Sequence, residues 1–273
     1  MKPSILITGC SSGIGYFCTK QLHNDGYKVY ATTKSQKDVK KLQDEGIDTF
    51  KLDVTSSEDI EQAIKYIAID NNNKLDILFN NAGFGQPGAL EDLSKNALKK
   101  QFETNLFGNF ELTKEALGLL RNSQNPKIIQ NSSVLGFISM KFRGAYNASK
   151  YALEGLSDTL RQELRPFGIH VVLIEPGPIR SNFRKNAYEK FKKHIEIEGS
   201  FYENEYKNAI KRFESTKDDP FTLGSDAVYK VLLKIINAKN PKPRYRVTFP
   251  TTLFWFLKRV LSTKMLDWVL EHV

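Results

Sequence analysis

The sequence predicts an α/β protein built on a doubly wound, parallel β-sheet. Short β-rich runs alternate with helical segments, and two of these runs, 74–79 and 169–174, have the pattern of strands buried on both faces. Strands that alternate with helices pair in parallel, so this order predicts one sheet with helices on both faces. The 273 residues, 40% of them hydrophobic, are enough for a single domain with its own core.

The predicted elements follow from this alternation, taken in order from the N-terminus. The first half contains strand 4–8, helix 13–25, strand 27–33, helix 36–45, strand 47–52, helix 57–70, strand 75–79 and the long helix 94–121. The second half contains strand 126–132, helix 144–167 closed by Gly168, strand 169–174, helix 224–239 and strand 243–248. We expect residues 1–250 to form the body, with an insertion at 182–222, and residues 251–273 to form an amphipathic helical tail.

The net charge of +9 is unevenly distributed along the chain. Residues 1–180 carry 22 basic and 20 acidic side chains, and residues 181–273 carry 18 and 11. A solvated, lysine-rich surface explains this excess more simply than a binding face does. We therefore expect no nucleic-acid partner.

The two cysteines and the N-terminus indicate a reducing compartment. Cys10 and Cys18 are eight residues apart, a spacing that suits neither a disulfide framework nor a metal site. We predict two reduced packing residues and no metal. Met1-Lys2-Pro3 leads directly into the first strand, without room for a signal or transit peptide, so we predict a cytoplasmic protein.

The first strand runs into a glycine-rich turn that organises the rest of the chain. Gly9, Gly13 and Gly15 follow the apolar residues 5–7 and precede the first helix. Glycines suit a turn whose backbone angles a Cβ forbids, and they let a pyrophosphate approach the positive end of a helix. The first gap is one residue longer than in G-x-G-x-x-G, and a glycine-rich turn without any ligand remains an alternative.

Polar or turn-forming residues end the later strands. They are the stretches 52–54, 80–83, 131–133 and 175–179. In a doubly wound sheet, ligands bind beyond the carboxyl ends of the strands, so these four stretches are the predicted site. Tyr146 and Lys150 are four residues apart at the start of a helix and therefore share one face.

Together these motifs make the chain similar to the short-chain dehydrogenase/reductase family along its whole length. The matching residues are Thr8-Gly9-x-x-x-Gly13-x-Gly15, Asp53, Asn80-Asn81-Ala82-Gly83, Asn105, Ser133, Tyr146-x-x-x-Lys150 and Pro176-Gly177. The resemblance implies a Rossmann-type fold and an oxidoreductase that transfers a hydride between a nicotinamide and an aldehyde, ketone or alcohol. The stretches 144–154 and 174–180 resemble the branch of hydroxysteroid and retinol dehydrogenases and NADP-dependent aldehyde reductases.

The resemblance also implies a catalytic role for Asn105, Ser133, Tyr146 and Lys150. Tyr146 would exchange a proton with the substrate oxygen, and Ser133 would hydrogen-bond that oxygen. A free phenol has a pKa near 10, and the nearby Lys150 ammonium is expected to lower it. Lys150 would also hold the nicotinamide ribose, and Asn105 would fix a water that links Lys150 to solvent. An unrelated i, i+4 helix pair beside a loop serine is the alternative.

By the same resemblance, the cofactor and substrate residues can be assigned. The dinucleotide is expected to contact Gly9, Ser11, Ser12, Gly13, Ile14, Gly15, Thr33, Lys34, Asp53, Val54, Asn81, Ala82, Gly83, Tyr146, Lys150, Pro176, Gly177, Ile179 and Ser181. The substrate is expected to contact Ser133, Phe137, Phe142, Tyr146 and Phe183, which favours an apolar or aromatic carbonyl compound.

The end of the second strand predicts NADP(H) rather than NAD(H). NAD-specific sites usually place a carboxylate there, which repels a 2′-phosphate. Here the strand ends in Thr33 and Lys34, and the nearest acid, Asp38, already lies inside the next helix. Lys34, with the hydroxyls of Ser11 and Thr33, would favour the phosphate. A solvated surface lysine and the use of both cofactors remain alternatives.

The last third of the chain is expected to determine specificity. The insertion 182–222 is rich in aromatic residues and is either a substrate lid or ordinary core. The tail is unusually aromatic, yet its apolar run is too short to span a bilayer. It either packs on the body, closes the pocket, or binds a membrane surface peripherally through Phe254, Trp255 and Phe256.

Two further questions remain open at this point. A dinucleotide-binding redox sensor or interaction module is the alternative to an enzyme, and the complete set of four catalytic residues favours the enzyme. Many proteins that the chain resembles pair through the helices corresponding to 94–121 and 144–167, so a homodimer or homotetramer is expected.

Overall fold

The computed structural model describes residues 2–215 and 217–272, and its centre is a seven-stranded sheet in which every strand pairs in parallel. The strands are β1 (Ser4–Ile7), β2 (Lys28–Thr33), β3 (Thr49–Lys51), β4 (Ile77–Asn80), β5 (Lys127–Asn131), β6 (His170–Glu175) and β7 (Arg244–Arg246). Their order across the sheet is β3-β2-β1-β4-β5-β6-β7. This order confirms the predicted Rossmann-type α/β fold.

Helices cover both faces of the sheet. They are α1 (Gly13–Asn24), α2 (Gln36–Asp44), α3 (Ser57–Asp70), α4 (Lys95–Phe102), α5 (Gly108–Leu120), α6 (Gly144–Leu164), α7 (Phe183–His194), α8 (Glu203–Glu214), α9 (Ser225–Asn237), α10 (Phe249–Val260) and α11 (Thr263–Glu271). Neighbouring residues of β1 show the two layers: Ile5 and Ile7 join the core formed with α1 and α9, and Leu6 joins the core formed with α3 and α5. This alternation is the pleat of a strand buried on both faces.

The predicted helix 94–121 is divided by a π-helical turn, Glu103–Phe107, between α4 and α5. Gly108 follows this turn, and a Cβ there would lie 2.2 Å from the Val54 carbonyl oxygen. The helix therefore passes unusually close to the end of β3. The widened turn includes Asn105, whose side chain is fully buried, and π-turns of this kind often occur at functional sites.

The C-terminal elements begin differently from the prediction. Only Arg244–Arg246 of the predicted strand 243–248 pairs with β6, because the chain turns at Thr248 into a helix that begins at Phe249. Pro250 occupies the first turn of that helix, where its missing N–H costs nothing.

The insertion 182–222 contains α7 and α8, which form a small core of their own. Phe191 and Tyr206 are buried there, with ring centroids 5.2 Å apart, and Phe142 packs against them from the body. Most aromatic side chains of the insertion are therefore ordinary core, as one of the two interpretations predicted. Phe201 and Phe221 are exceptions, because their side chains are 94% and 62% exposed, and Phe183 lies outside this core.

Candidate active site

The glycine-rich turn after β1 leaves the N-terminus of α1 open. Gly9 and Gly13 have φ values of +72° and +59°, which L side chains rarely adopt. A Cβ on Gly15 would lie 2.3 Å from the Gly9 carbonyl oxygen, so this position has no room for a side chain. Ser12 is the N-cap of α1, and within the described residues no side-chain hydrogen bond caps the helix. Its first N–H groups are therefore available to an anion.

Hydrogen bonds join the ends of β1, β4 and β5. The Thr8 Oγ1 accepts the backbone N–H groups of Asn81 and Ala82, each at 2.9 Å. Asn81 Nδ2 donates to the Thr8 carbonyl at 2.9 Å, and Asn131 Nδ2 donates to Asn81 Oδ1 at 2.9 Å. Thr8 and Asn131 thus hold Asn81 in place. The sequence analysis assigned neither of them a contact with cofactor or substrate, although Thr8 belongs to the glycine motif and Asn131 to a polar strand end.

Tyr146 lies in the first turn of α6, opposite Ser133, which follows β5 and precedes a 3₁₀ turn. Burial raises the pKa of Tyr146 to about 12, while hydrogen bonding with Ser133 and the charge of Arg143 lower it. Arg143 is a cation near Tyr146 that the sequence analysis did not name. The expected effect of Lys150 on this pKa stays a prediction.

Lys150 lies one turn further along α6, and its side chain is buried. Its Nζ donates to the Asn131 carbonyl at 2.6 Å and lies 5.7 Å from the centroid of the Tyr146 ring. Burial lowers the pKa of Lys150 to about 8, and the charge of Glu154 opposes that change. Lys150 is therefore held at the predicted site. Its lowered pKa lies close to neutral pH.

Asn105 is anchored beside these residues rather than in contact with Lys150. Its Nδ2 donates to the Phe84 carbonyl at 3.0 Å and to Ser149 Oγ at 3.2 Å, and its Oδ1 accepts the Phe84 N–H at 3.1 Å. Ser149 precedes Lys150 on α6. The side chain of Asn105 thus fixes the segment after Gly83, where a Cβ would lie 3.2 Å from Asn105 Oδ1.

Lys34, the residue predicted to select NADP(H), has an ion-pair partner in the structure. Lys34 is 74% exposed, and its Nζ lies 2.5 Å from Asp53 Oδ2. This pair lowers the pKa of Asp53, against the effect of burial. Thr33 is buried, and its hydroxyl donates to the Ser35 carbonyl at 2.9 Å. Lys34 therefore already has an ion-pair partner, and the Thr33 hydroxyl already donates its proton to a backbone carbonyl.

The segment after β6 borders the glycine-rich turn. The Val134 N–H donates to the Pro176 carbonyl at 2.8 Å. A Cβ on Gly13 would lie 3.0 Å from Ser181 Cβ, and a Cβ on Gly177 would lie 2.1 Å from Thr248 Oγ1. The predicted cofactor residues of this segment thus lie beside the turn and the start of α10. Ile179 packs against the core that includes α1.

On the substrate side, Phe183 is the predicted aromatic residue that reaches Tyr146. Their ring centroids are 5.5 Å apart in an edge-to-face arrangement. Phe142 instead packs on Tyr202 and Tyr206 at 5.3 and 5.6 Å, within the core of the insertion. Phe137 is half-buried, and its carbonyl accepts a hydrogen bond from Lys258 of α10. The structure therefore places Phe183 against Tyr146, whereas Phe142 packs on the insertion and lines the neighbouring cavity.

A cavity of about 820 Å³ lies beside the start of α6. Its lining includes Leu90, Met140, Phe142, Asn147 and Tyr151. It is a mainly apolar space next to the segment that carries Tyr146.

The parallel sheet, the open helix N-terminus and the grouped Ser133, Tyr146 and Lys150 define a Rossmann-type oxidoreductase. The model of the short chain dehydrogenase family matches residues 3–192, and the chain belongs to this family.

Relatives match nearly the whole chain. It is 38% identical to the uncharacterized oxidoreductase YbbO of Escherichia coli K12, over 99% of this chain and 95% of that protein. It is 33% identical to a 3-ketodihydrosphingosine reductase of Bacteroides thetaiotaomicron, over 99% and 98% of the two chains. A short-chain dehydrogenase structure from Streptomyces avermitilis superposes with a TM-score of 0.78 at 25% identity, covering 94% of each chain.

In the described part of the chain, every helix is too short or too polar to cross a bilayer.

Proposed function

We propose that the protein is an NADP(H)-dependent oxidoreductase that interconverts an aldehyde or ketone with the corresponding alcohol. The observation that carries this proposal is the convergence of Ser133, Tyr146 and Lys150 at the carboxyl end of β5, beside the open N-terminus of α1. The nicotinamide would supply the hydride in reduction and accept it in oxidation. The remaining steps are assigned to side chains of this chain.

In the proposed reduction, the Tyr146 hydroxyl donates its proton to the substrate oxygen as the carbonyl carbon receives the hydride. Burial keeps this phenol protonated at neutral pH, since it raises the pKa of Tyr146 to about 12. The Ser133 hydroxyl hydrogen-bonds the same oxygen and stabilises the developing negative charge. The positive charge of Lys150 favours the resulting phenolate, and Asn105 would hold a water that links Lys150 to solvent.

The turn after β1 fits a dinucleotide. Its positive-φ glycines and the uncapped helix N-terminus offer backbone N–H donors to a pyrophosphate. Asn81 is already held in place by Thr8 and Asn131, which supports its proposed contact with the adenosine ribose.

We further propose that Lys34 contributes to a preference for NADP(H). Replacing Lys34 by Ala should lower the ratio of kcat/KM for NADPH over NADH about fivefold, because an exposed ion pair contributes about 1 kcal/mol. Lys37→Ala is the matched control, since it removes an exposed lysine from the first turn of α2. A wild-type ratio below one, or a ratio that Lys34→Ala leaves unchanged, would show that this strand end does not select the cofactor.

The proposed substrate is an apolar carbonyl compound. Phe183 covers Tyr146, and the nearby cavity has a mainly apolar lining. The relative from Bacteroides thetaiotaomicron is named as a 3-ketodihydrosphingosine reductase, which supports a ketone substrate.

An NADPH-oxidation screen tests the enzyme proposal directly. Aldehydes and ketones of increasing chain length, steroids and retinoids should be compared, and we expect kcat/KM to rise with the apolar surface of the substrate. Tight NADPH binding without turnover of any class would favour the alternative, a dinucleotide-binding redox sensor or interaction module.

We also propose a homodimer or homotetramer that pairs through the helices on either side of the π-turn and through α6. Phe107, Phe110 and Tyr151 are exposed there, with exposed fractions of 51%, 46% and 37%. Phe110→Asp should shift the protein to a smaller assembly in analytical ultracentrifugation. An unchanged sedimentation coefficient would place the interface elsewhere.

We propose that α10 binds the surface of an anionic membrane from the cytoplasmic side. Phe249, Leu253, Phe256 and Val260 recur at helical spacing on one face of α10, and each is between 39% and 62% exposed. Residues 227–266 contain nine Lys and Arg and no Asp or Glu, a charge that complements anionic lipid.

The opposite face of α10 packs on the body. Thr251 and Phe254 are buried, and Trp255 lies between the guanidinium groups of Arg246 and Arg259, at 4.0 and 3.8 Å from its ring centroid. Phe254 and Trp255 are therefore not part of the exposed stripe, and the proposal relies on the other face of α10. Of the three aromatic residues named from the sequence, Phe256 alone belongs to the exposed stripe.

Vesicle sedimentation tests this surface. Full-length protein should sediment with vesicles containing phosphatidylglycerol, less so as salt rises, and Phe256→Asp should lower the partition coefficient at least about tenfold. Phe201→Asp is the matched control, because it changes an exposed aromatic residue on the insertion. Absence of wild-type sedimentation would refute the proposal, as would self-association that Phe256→Asp abolishes without any effect of lipid.

A further inference from the structure

A cluster of buried and partly buried charges lies behind Lys150, where α6 packs against β6 and β7. Glu154 follows Lys150 by four residues on α6, so the two side chains share one helix face, and both are buried. Arg244 of β7 donates from its Nη2 to Glu154 Oε2 at 3.1 Å. The same guanidinium lies 2.7 Å from Asp158 Oδ2 and 3.1 Å from Glu175 Oε1. Three carboxylates therefore share one cation.

Glu154 also contacts the strand end that anchors Lys150. A Cβ added to Gly136 would lie 2.7 Å from Ser132 Oγ and 3.1 Å from Glu154 Oε1, so these two polar atoms occupy the same small space. Ser132 directly follows Asn131, whose carbonyl accepts the Lys150 ammonium. The Glu154 carboxylate is thus buried immediately beside the segment that holds the cation.

We propose that Glu154 is a positioning residue whose carboxylate keeps Lys150 in its ammonium form during turnover. The inference rests on the proposed function, since it concerns the charge that favours the Tyr146 phenolate. Arg244 in turn keeps Glu154 ionised inside the protein. A buried lysine without such a neighbour loses its proton readily.

The electrostatics of the site support this assignment. Burial lowers the pKa of Lys150 to about 8, and Glu154 is the group that opposes this change. Burial raises the pKa of Glu154, while hydrogen bonding with Ser132 and the charge of Arg244 oppose that change. Without the charge of Glu154, the pKa of Lys150 should fall toward neutral pH.

The other titratable groups near Lys150 and Glu154 should not change the alkaline side of the pH profile. Tyr146 faces Lys150 along α6, and burial raises the pKa of Tyr146 to about 12, above the range of interest. Asp158 contacts Arg244 and has a lowered pKa, so it stays ionised. Glu175 has a pKa raised to about 7 by burial and by Glu154. Glu175 would therefore act on the acid side of a pH profile, whereas Lys150 determines the alkaline side.

The test is the pH profile of kcat/KM for carbonyl reduction at saturating NADPH, between pH 6 and 10. Glu154→Gln keeps the size of the side chain and removes its charge, and its alkaline limb should move about one pH unit lower. Asp158→Asn is the matched control, because it changes another partner of Arg244 that is two turns from Lys150. The alkaline limb of its pH profile should stay in place. An unmoved limb in Glu154→Gln, or an equal shift in Asp158→Asn, would overturn the inference.

A second measurement does not depend on turnover. The dissociation constant of NADPH, measured through the cofactor's fluorescence, should increase above the pKa of Lys150. The pH at which this increase begins should be lower in Glu154→Gln than in the wild type. An inactive wild type would refute the proposed function, while the binding profile would still decide the role of Glu154. If Glu154→Gln does not fold, Glu154→Ala replaces it in both measurements with the same expectation, and an unmoved onset again counts against the inference.

Discussion

Tyr146→Phe should lower kcat for carbonyl reduction at least about 100-fold, and it should change the dissociation constant of the cofactor only a few-fold. Phenylalanine keeps the ring that packs edge-to-face on Phe183, with ring centroids now 5.5 Å apart. It removes only the hydroxyl opposite Ser133. A large effect confined to kcat would therefore assign proton transfer to this hydroxyl, because packing and binding are retained.

Tyr151→Phe provides the matched control on the same helix. Its hydroxyl accepts a hydrogen bond from Lys258 Nζ at 3.3 Å, and its ring lines the cavity next to the site. We expect kcat of this variant within about twofold of wild type, since this tyrosine has no proposed part in proton transfer. Tyr146→Phe with wild-type kcat, measured by NADPH oxidation, would remove Tyr146 from the mechanism.

The fold could be predicted from the sequence because its signals are local. Each central strand is a short apolar run, and Gly9, Gly13 and Gly15 mark the turn that only residues without a side chain can form. The π-turn around Asn105 was not predictable in this way. It depends on the approach of Gly108 to the Val54 carbonyl, a contact between segments far apart in the sequence.

In the active site, too, local features could be predicted from the sequence and tertiary contacts could not. The spacing of Tyr146 and Lys150 predicted that they share a helix face, and the structure confirms this. The pairing of Lys34 with Asp53 joins the ends of β2 and β3, and the effect of Arg143 on Tyr146 depends on how deeply both are buried. Neither follows from residue types alone, because each is a property of tertiary packing.

The tail illustrates why hydrophobicity alone was insufficient. Apolar residues occupy both faces of α10, so the sequence could not distinguish the face that packs on the body from the exposed one. The buried Thr251 resolves this, since a small polar residue lies on the covered side near Gly177. Phe249 and Phe256, which look like core residues, are exposed.

Arg244→Met should lower the free energy of unfolding by about 3–5 kcal/mol at pH 8, the usual effect of leaving a buried charge without its partner. The variant leaves Glu154, Asp158 and Glu175 without their shared cation. Glu175 is the most affected, because its side chain is only 1% exposed at the end of β6. Methionine fills a similar volume but offers no charge.

The loss should depend on pH in a defined direction. In the folded protein the pKa of Glu175 is raised from 4.5 to about 7, so the native state holds a proton that the unfolded chain has already released. Folding is therefore favoured at low pH, and this stability is lost as pH rises from about 4.5 to about 7. Removing Arg244 raises the pKa of Glu175 further, so the destabilisation should be large at pH 8 and much smaller at pH 5.5.

Urea unfolding at pH 5.5 and 8 checks this prediction, with Arg161→Met as the matched control. Arg161 pairs with Asp158 near the surface, and its loss should cost less than about 1 kcal/mol at either pH. Adding Glu175→Gln to Arg244→Met should recover part of the stability at pH 8, because a neutral amide needs no cation. A variant that is equally destabilised at both pH values, or that Glu175→Gln does not rescue, would mean that Arg244 stabilises β7 through packing rather than through the charge of Glu175.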